Sequence, residues 1–204
     1  GFRVPTAIYA HGFFFFYGLK MSKSRGTYIT AEHYINAGLN PEWLRYYIAA
    51  KLNGTMEDID LNLDDFMKKI NSDLVGKYIN ILSRTSGFIF KFFKGKIINF
   101  SKVENFQSEI SVLNKIFIDH KTKIANNYED RNTSKVIRDL ITLMDQINFY
   151  IDENKPWLIA KKINAQNDKI ESDNLHLILS VSLLFFAKLT RRGGASRRSI
   201  ARKV

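Results

Sequence analysis

From Leu63 to Phe93 the apolar residues Phe66, Ile70, Leu74, Tyr78, Ile81, Leu82, Phe88 and Phe92 recur near helical spacing, and Gly95 follows as a stop. A stripe of that kind must be buried against other elements, and the downstream chain offers them. The segments from about 104 to 127 and from 134 to 152 share the same character, and WLIAKK and NLHLILSVSLLFFAKL supply two further helices. Short links between such helices predict an antiparallel α-helical bundle over 63–190. The most apolar stretch, LHLILSVSLLFFAKLT, is broken by His176, Ser180, Ser182 and Lys188. Its unbroken pieces fall well short of the roughly 20 residues a membrane span requires, so it reads as a buried helix and no membrane partner is expected.

Upstream of the bundle the pattern changes. PTAIYAHGFFFFY, rich in aromatic and β-branched residues, predicts one or two short strands ending at Gly18. LKMSKSRGTYIT reads as a loop. AEHYINAGLN is a short helix capped by Thr30 and ended by Gly38, and Pro41 suits the first turn of the next, PEWLRYYIAAKLN. The acidic connection GTMEDIDLN could suggest magnesium. Capping of the following helix by Asn62, Asp64 and Asp65 accounts for it instead. The expected fold is mainly α, with a strand-containing portion over 1–62 and the bundle after it.

Composition narrows the chemistry. There is no cysteine and there are four histidines among 204 residues, which argues against a disulfide framework and against a metal site. The formal charge is +11, but the last fourteen residues, RRGGASRRSIARKV, hold six basic and no acidic side chains. Residues 1–190 therefore carry only +5, which permits RNA binding without demanding it. Arginine usage also rises abruptly after Thr190, so 191–204 reads as a basic tail, either a real basic arm or a non-native scar. The opening GFRVPTAIYAHG lacks the charged and then apolar pattern of a leader, and reads as the interior of a domain.

In the loop after the phenylalanine run, two lysines, two serines, an arginine and a glycine combine mobile ammonium groups and hydroxyls suited to a polyphosphate. The Walker spacing is absent. The residues Lys20, Met21, Ser22, Lys23 and Ser24 spell KMSKS, the signature of class I aminoacyl-tRNA synthetases. With GFRVPTAIYAHGF before it and SRGTYI, LRYYIAAKL, DIDLNLDDF, INILSR and ENKPW after it, the chain resembles methionyl-tRNA synthetases over residues 1 to about 190. On this resemblance it is a carboxy-terminal portion of such an enzyme: residues 1–62 end the catalytic domain with its motif loop and connecting helices, and 63–190 form an anticodon-binding bundle.

The resemblance implies an ATP-dependent ligase, with magnesium accompanying ATP, that activates methionine and transfers it to tRNA in the cytoplasm. Lys20 and Lys23 would stabilise charge on the leaving pyrophosphate, Met21, Ser22 and Ser24 would complete the ATP site, and Gly26 would be the pivot. The family's HIGH motif, methionine pocket and metal-bearing insertion have no counterpart in these 204 residues, and His11-Gly12 is not that motif. The chain alone is expected not to aminoacylate. A stand-alone RNA-binding module without catalysis, and a helical interaction protein using its amphipathic faces and basic tail, are the other readings.

In the bundle, Asn80 and Arg84 lie four apart on one helical face and by themselves read as a solvated stripe. Trp157, just after Pro156 at a helix start, by itself reads as a core or cap residue. By resemblance Asn80, Arg84 and Trp157 meet the tRNA anticodon CAU, with Asn154 and Pro156 placing the indole and Lys155 a weaker phosphate candidate. An anticodon is single-stranded, so an aromatic ring can stack a base while amide and guanidinium groups read edges.

Overall fold

The computed structural model describes residues 1–203 apart from 23, 25, 27, 101–109 and 167, with the side chains of 164–166 and 192–203 also left undescribed. Strands β1 (Phe14–Phe16), β2 (Leu19–Lys20) and β3 (Ile59–Leu61) form one sheet in the order β2-β1-β3. The helices are α1 (Ala31–Asn36), α2 (Pro41–Lys51), α3 (Leu63–Lys69), a π-helical stretch (Ile70–Ile79), α4 (Asn80–Phe93), α5 (Ser111–Glu129), α6 (Thr133–Asn154), α7 (Pro156–Gln166) and α8 (Lys169–Lys203). The chain divides into two compact units, 1–71 with 124–138, and 72–123 with 139–204. This division does not follow the sequence boundary at 62.

In the first unit β1 pairs antiparallel with β2 and parallel with β3. The expected strand region shrinks to three residues, while Lys20 stands on a strand instead of in the loop. Strand β3 falls where only a connection is predicted. Its alternation is nonetheless readable, with Ile59 and Leu61 buried and Asp60 exposed between them. Gly12 lies so close to this connection that a Cβ there would come within 2.4 Å of the Glu57 backbone. The chain can pass Glu57 only where a side chain is missing.

The caps follow the sequence. Thr30 Oγ1 accepts from His33 N at 2.9 Å, Asn40 Oδ1 from Glu42 N at 2.9 Å, and Asn62 Oδ1 from the amides of Asp64 and Asp65 at 2.9 and 3.1 Å. Tyr47, fully buried, meets Phe66 edge-on at 5.5 Å, and Tyr34 meets the same ring at 6.4 Å. Of the aromatics expected on the packed side of α2, Trp43 is instead partly exposed. Thr133 Oγ1 donates to the Ala49 and Leu52 carbonyls, which binds the start of α6 to the end of α2 within this unit.

The second unit is helical. Ile89 of α4, Ile159 and Ala160 of α7 and Leu175, Ile178 and Leu179 of α8 form one buried cluster, and Phe117 meets Phe185 at 4.8 Å. Lys169–Arg191 is long and apolar enough to cross a membrane by length and composition alone. Leu175, Leu179, Val181 and Phe185 are nevertheless fully enclosed by protein, and Ser182 satisfies its hydroxyl on the Ile178 carbonyl. This is the behaviour of a core helix. The backbone of α8 continues to Lys203, so the basic tail prolongs a helix.

The predicted single helix over 63–93 is interrupted by the ten-residue π-helical stretch. Such wide turns are usually single and often sit at functional positions. The stop is where the sequence puts it: Lys94 and Gly95 both take positive φ, +53° and +76°.

Candidate functional sites

The first candidate site is the motif hairpin. Tyr17 and Gly18 take consecutive positive φ values of 50° and 73°, the geometry of a two-residue hairpin turn whose twist suits the flanking strands. Gly18 N donates to Asp60 Oδ1 at 3.0 Å and Phe13 N to Asp58 Oδ1 at 2.7 Å. Those two carboxylates therefore serve the sheet. The motif emerges from β2: Lys20 Nζ lies 3.4 Å from the Phe13 ring centroid, Met21 N donates to Phe14 O at 3.2 Å, and the Ser22 and Ser24 hydroxyls are 3.0 Å apart. Gly26 takes φ +67°, a backbone state that glycine adopts without strain. Lys23 lies outside the described residues.

The second candidate site lies among α4, α6 and α7. Arg84 stands with its guanidinium carbon 4.8 Å from the Trp157 ring and ion-pairs with Asp152. That pairing, through the hydrogen bond from Arg84, holds the Asp152 carboxyl below the usual carboxylate range. Asn80, one turn before Arg84, donates to Asn148 Oδ1 at 3.3 Å, and Asn148 in turn donates to the Lys77 carbonyl at 3.1 Å. Lys77 reaches Asp145 at 2.6 Å. Trp157 is 36% exposed, so part of the residue remains in contact with solvent.

The turn between α6 and α7 fixes that indole. Asn154 Nδ2 donates to the Tyr150 carbonyl at 2.8 Å, Lys155 takes φ +43°, and Pro156 opens α7 with Trp157 immediately behind it. Asn80, Arg84 and Trp157 are thus brought together, with Asn154 and Pro156 shaping the turn. Sequence reasoning missed Asp145, Asn148 and Asp152. Their signal was a polar i, i+3, i+7 series along α6, opposite the buried Leu143, Ile147 and Ile151.

Comparison with known proteins bears on the family of the chain. Residues 1–86 match the family described as tRNA synthetases class I (M). The chain is 50% identical over 194 residues to the methionine–tRNA ligase of Thiobacillus denitrificans, covering 93% of the chain and 26% of that protein. It is 48% identical over 192 residues to that of Ralstonia nicotianae, with the same coverage of 93% and 26%. The chain thus spans 26% of the length of these curated relatives. In fold it is similar to Mycobacterium tuberculosis methionyl-tRNA synthetase in complex with methionyl-adenylate, with TM-score 0.75 and 19% identity over 93% of this chain and 36% of that one. The free form of that enzyme gives TM-score 0.70 at 16% identity, over 93% and 35% of the two chains.

One expectation is corrected. The class I match runs through residue 86, past the boundary at 62 and over Asn80 and Arg84. A description of the chain as a carboxy-terminal portion is at odds with that match, because catalytic-region sequence occupies its first 86 residues. Near half-identity to methionine–tRNA ligases along almost its whole length, with the class I match over residues 1–86, supports assignment of the chain to the methionyl-tRNA synthetase family of class I.

Proposed function

We propose that this chain is the segment of a methionine–tRNA ligase that couples the motif loop of methionine activation to recognition of the tRNA anticodon CAU. Residues 1–62 supply the loop and connecting helices, 63–190 the anticodon-binding bundle, and 191–204 a basic tail. The partners are tRNA and ATP with its magnesium, with methionine held elsewhere in the complete cytoplasmic enzyme. Lys20 and Lys23 stabilise the charge that grows on the departing pyrophosphate, assisted by Met21, Ser22 and Ser24. Such contacts accelerate the reaction only to the extent that they tighten in the transition state.

The observation that carries the RNA reading is the convergence of Asn80, Arg84 and the partly exposed Trp157 on neighbouring helices of one unit. The indole is the stacking platform, with Asn154 and Pro156 setting its place. Asn80 has both a donor and an acceptor for a base edge, and the Arg84 fork serves a base or a phosphate once Asp152 yields it. Lys155 is a secondary phosphate contact. Titration of the chain with a stem-loop carrying CAU, against one with a scrambled anticodon, is expected to show a clear preference for CAU. Equal binding of the two would contradict the reading.

A stand-alone RNA-binding module is the second reading, favoured by the helical unit having its own closed core. Complementation with a chain carrying the remaining ligase sequence separates the two, since only the ligase reading expects restored methionyl-tRNA formation.

A further inference from the structure

Lys20 is the register partner of Phe15, and Phe13 is the diagonal neighbour on the same face of the sheet. The ammonium uses that diagonal: Lys20 Nζ stands 3.4 Å from the Phe13 ring centroid. The backbone of Phe13 is fixed on both sides, its N–H donating to Asp58 Oδ1 at 2.7 Å and its carbonyl accepting from Ile59 N at 2.9 Å. The residue, by contrast, is 60% exposed and adds little to the core. An immobile backbone thus presents an aromatic face directly beneath the first lysine of the motif.

The geometry points to Phe13 as a positioning residue that parks Lys20 on its ring, so that an incoming triphosphate must draw the ammonium away before it can use it. This rests on the reading of Lys20 as a triphosphate ligand. Phosphate oxygens compete with the ring quadrupole for the same cation, and a lysine stem has the reach and rotamer freedom to exchange one for the other. Release is set against the cation–π contact, so the resting arrangement weakens triphosphate binding by about two- to five-fold. The ring also holds the flexible side chain near the loop, which shortens its search when the ligand arrives.

The test uses the whole chain and inorganic tripolyphosphate, followed by NMR of the Lys20 side chain. In the unaltered chain the ε-methylene resonance is expected upfield of its ordinary position through the Phe13 ring current, and tripolyphosphate returns it towards that position. Phe13→Leu is expected to abolish the upfield shift and to tighten tripolyphosphate two- to five-fold, while Phe13→Tyr keeps the shift and the original affinity. Unchanged or weaker binding by Phe13→Leu, with circular dichroism showing an intact fold, overturns the parking role. Lys20→Ala separates the two layers: if it weakens binding while Phe13→Leu does not tighten it, only the parking role falls. If Lys20→Ala has no effect, the triphosphate reading falls and the parking role with it.

Discussion

The motif hairpin and the Asn80–Arg84–Trp157 site treat their functional side chains in opposite ways. On the hairpin, Lys20 is exposed and held by a ring, and two serine hydroxyls meet each other. In the helical unit, Asn80 bonds to Asn148 and Arg84 pairs with Asp152, two side-chain links between α4 and α6. The first arrangement suits groups that must travel to a charge appearing during a reaction. The second suits groups that must already be in place when a flexible RNA loop arrives, because ordering them beforehand lowers the entropic cost of binding.

The largest effect should come from the hairpin. In a full-length ligase carrying this segment, Lys23→Ala is expected to slow pyrophosphate exchange by roughly 100-fold or more, the scale for losing one donor to transition-state charge. Methionine affinity and stem-loop binding should be nearly unchanged, and a matching loss in either would break the division between the two regions. Next, Trp157→Ala is expected to weaken CAU stem-loop binding by about 5-fold to over 100-fold, from ~1–3 kcal/mol of stacking. Pyrophosphate exchange measured without tRNA should not respond.

A smaller effect tests whether the helical site is prearranged. Asn148→Ala removes the acceptor of Asn80 and the donor to the Lys77 carbonyl, and should lower thermal stability by about 1 kcal/mol. Stem-loop affinity should fall with it, and an unchanged affinity would show that Asn80 needs no support. The smallest effect concerns pH. Hydrogen bonds from Lys51 and Tyr47 hold the Asp65 carboxyl below its ordinary range, so the folded state binds that proton less readily than the unfolded one. Its contribution is complete above about pH 4 and is lost as pH falls through the lowered value. Asp65 is half exposed, which keeps the effect modest. Asp65→Asn should lower stability modestly in the neutral region, where that contribution is present, and flatten the acid limb of a denaturation profile.

Much of this was legible in the sequence where the signal is local. Thr30, Asn62 and Gly95 announce caps and stops through their own chemistry, and the helices follow from hydrophobic spacing. The motif and the trio in the bundle were named through family resemblance; periodicity alone had read Asn80 and Arg84 as a solvated stripe. What stayed hidden depends on tertiary partners. Strand β3 is three residues long and owes its identity to pairing with β1. Asp152 looks like any polar helical residue until Arg84 is seen against it. Gly12 gives no hint of the Glu57 backbone beside it. The π-helical stretch keeps apolar spacing close to that of an α-helix, so the pattern could not reveal the wider turns.

The most direct test of the anticodon reading uses the indole itself. The chain has two tryptophans, so a Trp43→Phe variant leaves Trp157 as the sole indole emitter. Titrated with a CAU stem-loop, its fluorescence should be quenched in a saturable way that tracks binding followed independently by anisotropy of a labelled RNA. Saturated anisotropy with unaltered Trp157 emission would mean that the RNA binds without stacking there.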